Sequence, residues 1–247
     1  MTKTASGGAV VVVGVGAQRG TGAALARRFA REGFHTFVAG RTAKKIEAVA
    51  QAIRSEGFQA TAIVTDTTRS EDVSALLDRA IAEAGPLEAV LYNAGNNQFS
   101  PLLEMDDEFF ENLWRVCCFG GFLVGREAAR RMVPQGRGSI LFTGATASMR
   151  ARPPFTAFAS AKAALRAVAF GMAREFGAQG LHVGHVVIDG VINGDVVNER
   201  FPGIQERLGA DGMLAVDDIA EAFWTLHSQP RSAWTLELDV RPFKETF

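Results

Sequence analysis

Short apolar runs alternate with segments of helical periodicity along the whole chain. The first run, Ala9 to Val13, is continuously apolar, as expected of a strand buried on both faces of a sheet. The next segment, Thr21 to Glu32, has apolar residues three and four positions apart, which predicts an amphipathic helix. The same reasoning predicts strands at 36–39, 60–65, 87–92, 139–143, 183–188 and 234–240, helices at 43–55, 70–84, 158–176 and 217–227, and a helical pattern over 106–132 broken by Gly120, Gly121 and Gly125.

Strands that are each followed by a helix form parallel sheets, because a parallel connection has to cross over the sheet. Right-handed crossovers then cover both faces of the sheet with helices. The predicted fold is therefore α/β, a Rossmann-type doubly wound parallel sheet of about seven strands with helices on both faces. The sequence contains no long linker, repeat or low-complexity tract, which predicts a single domain over residues 1–247.

Composition excludes several classes of function. The 247 residues include 26 Lys and Arg against 27 Asp and Glu, so the net charge of −1 offers no cationic excess for binding nucleic acid. No apolar stretch has the length needed to cross a membrane, and we expect no membrane partner. Cys117 and Cys118 are neighbours that cannot form an ordinary disulfide, which favours a reducing, cytoplasmic location. His182 and His185 face opposite ways on one predicted strand, so we expect no metal site.

A glycine-rich loop joins the first predicted strand to the first predicted helix. Glycines let the backbone approach a pyrophosphate closely, and the following helix N-terminus supplies unpaired N–H donors and a partial positive charge. The loop is therefore predicted to bind the diphosphate of a dinucleotide. Its predicted cofactor-binding residues are Gly16, Gln18, Arg19, Gly20, Thr21 and Gly22.

The end of the second predicted strand bears on the choice of dinucleotide. A carboxylate at this point would bond the ribose 2′-hydroxyl and repel a 2′-phosphate. The sequence instead has Gly40 followed by Arg41, whose planar guanidinium suits a phosphate. Arg19 can approach the same side from the glycine loop. The sequence therefore favours NADP(H) over NAD(H).

Over nearly its whole length the sequence resembles the short-chain dehydrogenase/reductase family. The resemblance is carried by the glycine loop, by Asn93-Ala94-Gly95 after the fourth strand, by Lys162 on a long helix and by Asp217-Asp218-Ile219-Ala220 near the end, although Tyr92 stands where a second Asn is usual. It implies the fold and nicotinamide cofactor of that family. The further cofactor-binding residues that it implies are Asp66, Thr67, Asn93, Ala94, Gly95, Lys162, Gly190 and Ile192.

The same resemblance implies an unusual set of catalytic positions. The family uses a Tyr four residues before the Lys, and Phe158 stands there. Its Ser position, thirteen residues before the Tyr, is Ala145, and alignment of the preceding helix puts Cys117 at its Asn position. Only Lys162 is retained. Thr146, next to the Ser position, is a candidate substitute for the missing hydroxyl, and Lys162 or a water molecule are others.

Residues after the predicted strand ends indicate a ligand pocket and a subunit contact. Apolar side chains there predict a pocket with a lid over about 191–213, although a core or subunit contact explains them almost as well. Arg150 and Arg152 beside it are interpreted as solvated surface charges, with an acidic substrate as the alternative. The resemblance also implies a homodimer or homotetramer formed through the helices at 106–132 and 158–176.

Two functions follow as hypotheses. The first is an atypical NADP(H)-dependent oxidoreductase of this family that acts on an apolar carbonyl or an activated double bond. The second is a catalytically inactive relative that binds NADP(H) and works as a regulatory, oligomeric module. The glycine loop supports both hypotheses, and the replacements at Phe158, Ala145 and Cys117 favour the second.

Overall fold

Strands and helices alternate through the chain, as the hydrophobic pattern predicts. The computed structural model describes residues 7–95 and 97–245. The strands are β1 (Gly7–Val13), β2 (Phe34–Gly40), β3 (Ala60–Val64), β4 (Leu87–Tyr92), β5 (Ser139–Thr143), β6 (His182–Ile188), β7 (Ile192–Asn193), β8 (Leu214–Ala215) and β9 (Glu237–Val240). The α-helices are α1 (Thr21–Arg31), α2 (Ala43–Ser55), α3 (Ser70–Ala84), α4 (Asp107–Trp114), α5 (Gly120–Met132), α6 (Thr156–Phe176), α7 (Asp195–Arg200), α8 (Ile204–Leu208) and α9 (Val216–His227).

Seven strands form one sheet in the order β3-β2-β1-β4-β5-β6-β9, and all their pairings are parallel. The predicted fold class is therefore confirmed. The chain reverses its direction of travel across the sheet between β1 and β4. Val13, the last residue of β1, pairs with Ala39 of β2 and Tyr92 of β4, so the loops after these three strands leave the same edge. Ligands of open α/β sheets bind at such a switch point.

Alternate residues of β1 enter two separate cores. Val10 and Val12 pack on the side of α1, α2 and α9, while Val11 and Val13 pack on the side of α3 and α5. Burial on both faces explains why the strand is continuously apolar instead of alternating. The two cores hold the sheet rigidly and leave its carboxyl edge free to carry polar groups.

The helical pattern over 106–132 is interrupted at a different place from the predicted one. A π-helical turn at 115–119 separates α4 from α5, and the glycines lie within α5. The hydroxyl of buried Tyr92 donates a hydrogen bond to the carbonyl of Val116, which helps to satisfy the backbone of that turn. A Cβ on Gly121 would stand 2.4 Å from Leu165 Cδ1, so this glycine serves close helix packing instead of ending a helix.

The last strand is shorter than the predicted segment 234–240. It begins at Glu237, because the N–H of Thr235 donates to the side chain of Gln229 at 2.7 Å and Trp234 stacks on His182. Across residues 7–95 and 97–245, none of the helices is long and apolar enough to span a membrane.

Candidate functional site

The glycine loop packs tightly at one end and stands open at the other. Gly14 has a φ of +86°, and a Cβ there would lie 2.2 Å from the backbone nitrogen of Ala94. A Cβ on Gly16 would meet no atom within 4 Å. The loop therefore presses against the segment after β4 while leaving unfilled space at Gly16, in front of the N-terminus of α1.

Two cavities meet at this loop. The first, of about 520 Å³, and the second, of about 600 Å³, are both lined by Gly14, Gly16 and Gly95. The first is called the apolar cavity, because Phe155, Phe158 and several alkyl side chains form much of its wall. The second is called the polar cavity, because charged and hydroxyl side chains after β2 and β3 line it. Together they form an elongated site along the carboxyl edge of the sheet.

The cations Arg41, Lys45 and Arg115 and the carboxylate of Asp66 line the polar cavity. Arg41 follows β2, and Lys45 lies on the first turn of α2, so both line the same wall. Asp66 Oδ1 accepts hydrogen bonds from Thr68 N at 2.9 Å and Thr68 Oγ1 at 2.8 Å. Burial alone would raise the pKa of Asp66, but these bonds and the charge of Arg41 outweigh it and hold the pKa below its usual value. Lys45 was not among the predicted contacts, although its position four residues after Arg41 is a usable signal.

Arg19 does not line the polar cavity beside Arg41, in contrast to the expectation from the sequence. Its side chain is 70% exposed, lies 4.0 Å from Asp195 and lines the apolar cavity instead of the polar one. Its backbone N–H donates to Asp195 Oδ2 at 3.0 Å, which ties the glycine loop to α7. Gln18 lines neither cavity, and its carbonyl accepts a bond from Arg27.

Asn93 joins three strand ends at the centre of the site. Its backbone N–H donates to Val13 O at 2.9 Å, and its Nδ2 donates to Gly14 O at 3.2 Å. Thr143 Oγ1 donates to Asn93 Oδ1 at 3.1 Å. These bonds fix the ends of β1, β4 and β5 relative to one another. Of the remaining predicted cofactor contacts, these line one or both cavities: Gly20, Thr21, Gly22, Thr67, Ala94, Gly190 and Ile192.

Lys162 lies at the inner end of the apolar cavity. It is 4% exposed, and its Nζ donates to Thr143 O at 2.7 Å and lies 5.7 Å from the centre of the Phe158 ring. A Cβ on Gly95 would be 3.3 Å from Lys162 Nζ and 3.7 Å from Cys117 Sγ. The fold thus brings Lys162, Phe158 and Cys117 together. Burial is the largest influence on Lys162 and lowers the pKa of its ammonium group, and the nearby Cys117 only partly opposes it.

The turn after β5 contains a second polar cluster. The Thr146 hydroxyl donates to Asp189 Oδ1, and Arg150 Nη2 donates to both oxygens of Asp189 at 2.9 and 3.1 Å. Ala145 and Arg150 line the apolar cavity beside Thr146. The interpretation of Arg150 as a solvated surface charge was therefore wrong, because it pairs with a carboxylate that is only 2% exposed. Arg150 and Asp189 are far apart in the sequence, so no local sequence pattern indicates that they form an ion pair.

A third set of bonds supports this turn from beneath. Ser148 Oγ accepts from the N–H of Ala145 at 3.1 Å and lies 3.5 Å from His185 Nε2. His185 Nδ1 lies 2.9 Å from Glu237 Oε2, and Arg166 Nε donates to the same oxygen at 2.6 Å. Burial lowers the pKa of His185 to about 4, so its ring is neutral at pH 7. Ser148 does not line the cavity, which makes this network a support for the turn.

The segment predicted as a lid contains two short helices. β7 pairs with β8, and α7 and α8 lie between them. Val196 and Val197 of α7 line the apolar cavity. Arg200 donates to Asn97 O at 3.0 Å and lies over the ring of Phe99, so α7 contacts the loop after β4. In the part of the chain that the structure describes, no group of three or more His, Cys, Asp or Glu side chains could hold a metal ion.

Comparisons with known proteins place this site in a family. A family model described as short chain dehydrogenase matches residues 9–204. Cis-4-hydroxycyclohexanecarboxylate dehydrogenase of Sinomonas cyclohexanicum is 33% identical over 227 residues, covering 90% of each chain. Gluconate 5-dehydrogenase of Gluconobacter oxydans is 32% identical over 199 residues, covering 79% of this chain and 73% of that protein. The crystal structure of a short-chain dehydrogenase from Rhodopseudomonas palustris has a TM-score of 0.81 at 38% identity, covering 96% of this chain and 99% of that one.

Proposed function

The chain belongs to the short-chain dehydrogenase family, a family of oxidoreductases that use nicotinamide cofactors, and on this premise we propose that it is an NADP(H)-dependent oxidoreductase acting on an apolar carbonyl compound or an activated double bond. One observation carries the proposal. The glycine loop lies where the charged polar cavity meets the apolar cavity that contains the buried Lys162. Such a site suits a dinucleotide with one polar and one reactive end.

The residues of this junction fit a dinucleotide. The open space in front of Gly16 and the N-terminus of α1 would receive the diphosphate, since a side chain at Gly16 would project into that space. The polar cavity would hold the adenosine half and the apolar cavity the nicotinamide half. The cofactor would supply hydride transfer, while the protein supplies binding, orientation and control of protons.

The proposed preference for NADP(H) rests on the polar cavity. Arg41 and Lys45 line it together, and no carboxylate stands at Gly40, directly after which Arg41 begins the loop. Asp66 is already engaged by Thr68, so Arg41 and the nearby Lys45 are the groups that would receive a 2′-phosphate. Arg19 belongs to the proposed cofactor site through the other cavity.

The residues of the apolar cavity would handle the substrate. Phe158 and Ala145 present an apolar surface to it. Lys162 donates one hydrogen bond to Thr143 O and keeps two further N–H donors for a ligand oxygen. Because burial lowers its pKa, the Lys162 ammonium group gives up a proton more readily than an exposed lysine does. The proposed lid over about 191–213 would cover this cavity. We propose that the lid is part of the same single domain as the sheet.

The second candidate function is a catalytically inactive relative that binds NADP(H) as a regulatory module. The observation that favours it is the surroundings of Lys162, where the side chains of Phe158 and Ala145 have no ionisable group to hand a proton to a substrate. In this alternative the nucleotide binds without turnover.

Self-association and a cytoplasmic location are parts of the proposal. Phe110, Trp114 and Phe122 are exposed aromatic side chains on α4 and α5, and they favour a homodimer or homotetramer. Light scattering after gel filtration tests the oligomeric state. The two cysteines are free and buried, which favours a reducing compartment.

Titration calorimetry followed by a turnover assay tests the proposed function. NADPH and NADH are titrated into the protein, and NADPH absorbance is then followed with a panel of apolar ketones, aldehydes and enones. Binding with turnover of at least one compound supports the oxidoreductase. Binding without turnover supports the inactive module. Absence of binding by either nucleotide refutes both.

A further inference from the structure

A buried carboxylate lies behind the wall of the apolar cavity. Asp189 directly follows β6, is 2% exposed, and does not itself line the cavity. Arg150 Nη2 lies 2.9 Å from its Oδ2, and Arg241 Nη2 lies 3.4 Å from the same oxygen. Two guanidinium groups, those of Arg150 and Arg241, are therefore paired with this buried carboxylate. An ionised carboxylate can only accept hydrogen bonds.

This carboxylate fixes the orientation of one hydroxyl at the cavity wall. Thr146 lines the apolar cavity and is bonded to Asp189 Oδ1. Since Asp189 can only accept, the single hydroxyl proton of Thr146 points to the carboxylate. Thr146 Oγ1 can therefore only accept a hydrogen bond from a ligand, through its lone pairs.

We propose that Thr146 Oγ1 is a specificity-determining hydrogen-bond acceptor, which makes the apolar cavity hold the alcohol of an alcohol–ketone pair in preference to the ketone. The proposal deepens the proposed function, on which it rests, by naming the chemical class that the cavity favours. A hydroxyl group donates to Thr146, whereas a carbonyl oxygen would set its lone pairs against those of Thr146.

Lys162 complements this acceptor. It lines the same cavity and carries N–H donors, so the cavity contains both an acceptor and a donor. A hydroxyl oxygen can use both at once, because it donates one hydrogen bond and accepts others. A carbonyl oxygen can use only Lys162. The apolar surroundings of Phe155 and Phe158 strengthen the difference, because water is a poor competitor there.

The test compares 1-phenylethanol with acetophenone, which have nearly the same shape. Their dissociation constants are measured by ligand-observed NMR on the full chain, with and without NADP⁺. The alcohol is expected to bind about fivefold more tightly, the value of one net hydrogen bond. Thr146→Val should remove the difference in affinity between the two compounds, because the alcohol loses its acceptor and the ketone loses the opposing lone pairs. Thr146→Ser, the matched control, should keep the preference.

Asp189→Asn provides a second, independent variant. Its amide can donate to Thr146 and so release the threonine proton toward the cavity, which should shift the preference toward the ketone. Melting temperatures confirm that each variant is folded. Equal binding of both compounds to the wild type, binding of neither at millimolar concentration, or a preference that survives in Thr146→Val overturns the proposal. NADPH titration and the turnover assay on the same samples test the proposed function separately. A wild type that binds NADPH and turns over a substrate, but shows no preference for the alcohol, refutes this inference alone.

Discussion

The polar and apolar cavities share the open space at Gly16, yet they are built from different kinds of residue. In the polar cavity, Arg41 and Lys45 stand on loop and helix ends close to water. In the apolar cavity, aromatic and alkyl side chains surround two buried charges, Lys162 and the Asp189 behind its wall. The polar cavity therefore attracts a charged ligand through its accessible cations. The apolar cavity positions a ligand through a few polar groups that are fixed in place.

The difference lies in what each charge needs from its surroundings. A solvated cation costs little to maintain, so Arg41 and Lys45 can remain available for an anion. A buried charge has to be hydrogen-bonded, and Lys162 is bonded to Thr143 O while Asp189 is bonded to Arg150 and Thr146. Burial also lowers the pKa of Lys162.

Substitutions in the glycine loop should disrupt both cavities at once, because Gly14 and Gly16 line both of them. Gly14→Ala should lower the free energy of unfolding by about 3–5 kcal/mol, because the φ of +86° disfavours a side chain and the new Cβ would lie 2.2 Å from Ala94 N. Urea denaturation measures the loss. Gly16→Ala is the matched control, whose unfolding free energy should stay within about 0.5 kcal/mol while NADPH affinity falls at least ~10-fold.

The two variants separate folding from binding. If Gly14→Ala retains wild-type stability, the close approach of the loop to Ala94 is not what holds this corner together. If Gly16→Ala binds NADPH as the wild type does, the diphosphate does not occupy the space in front of Gly16, and the proposal that one ligand spans both cavities fails.

The sequence predicts the frame of both cavities well. The bounds of α2, α3 and β4 agree with the predicted ones, because these segments combine strong periodicity with clear breaks. The placement of the glycine loop and Arg41 beside the cavities could also be predicted, since it depends on local spacing along a strand–loop–helix unit, whereas Lys162 was expected from the family resemblance.

The features that sequence missed depend on contacts between distant segments. The π-helical turn is coupled to a hydroxyl on β4, through the bond from Tyr92 to Val116. Asp189 meets Arg150 only when β6 lies beside the turn after β5. Periodicity reports which face of an element is buried, but it carries no information on which distant polar group will be its partner.

A gain of function would sharpen the contrast on the apolar side. Phe158→Tyr combined with Ala145→Ser should raise NADPH-dependent reduction of acetophenone at least ~10²-fold over the wild type, because a phenol would stand next to Lys162 as a general acid. The initial rate of NADPH oxidation measures it, with Phe158→Tyr alone as the control for the added hydroxyl. No gain in a folded double variant would show that the cavity itself does not accept carbonyls productively.

The support beneath the apolar cavity should weaken in acid. The pKa of His185 is about 4 in the folded protein against an ordinary 6.5, so the unfolded chain takes up its proton first as the pH falls. Stability is therefore complete above pH 6.5 and declines below it, with a loss of about 2 kcal/mol for this one group between pH 6.5 and 5. Urea denaturation as a function of pH gives the loss directly.

His185 faces Glu237, Lys162 and Arg166, and burial outweighs the attraction of Glu237. His185→Gln should remove about 2 kcal/mol of the pH dependence over that interval. His227→Gln is the matched comparison, because burial also lowers the pKa of His227 to about 4, while its bond to Ser139 lies at the opposite edge of the sheet. A pH dependence that His185→Gln leaves unchanged would mean that folding does not lower the pKa of this histidine.

The smallest expected effect concerns the polar cavity alone. NADPH should bind the wild type at least ~10-fold more tightly than NADH, since a charged hydrogen bond to the 2′-phosphate contributes about 1.5–3 kcal/mol. Arg41→Ala should remove most of this preference by weakening NADPH and not NADH. Arg19→Ala is the matched control, because this arginine lines the apolar cavity and should affect both nucleotides alike. The contrary result in titration calorimetry is that Arg19→Ala weakens NADPH relative to NADH more than Arg41→Ala does. In that case the 2′-phosphate is bound by Arg19 of the glycine loop, and the polar cavity is not what selects NADPH.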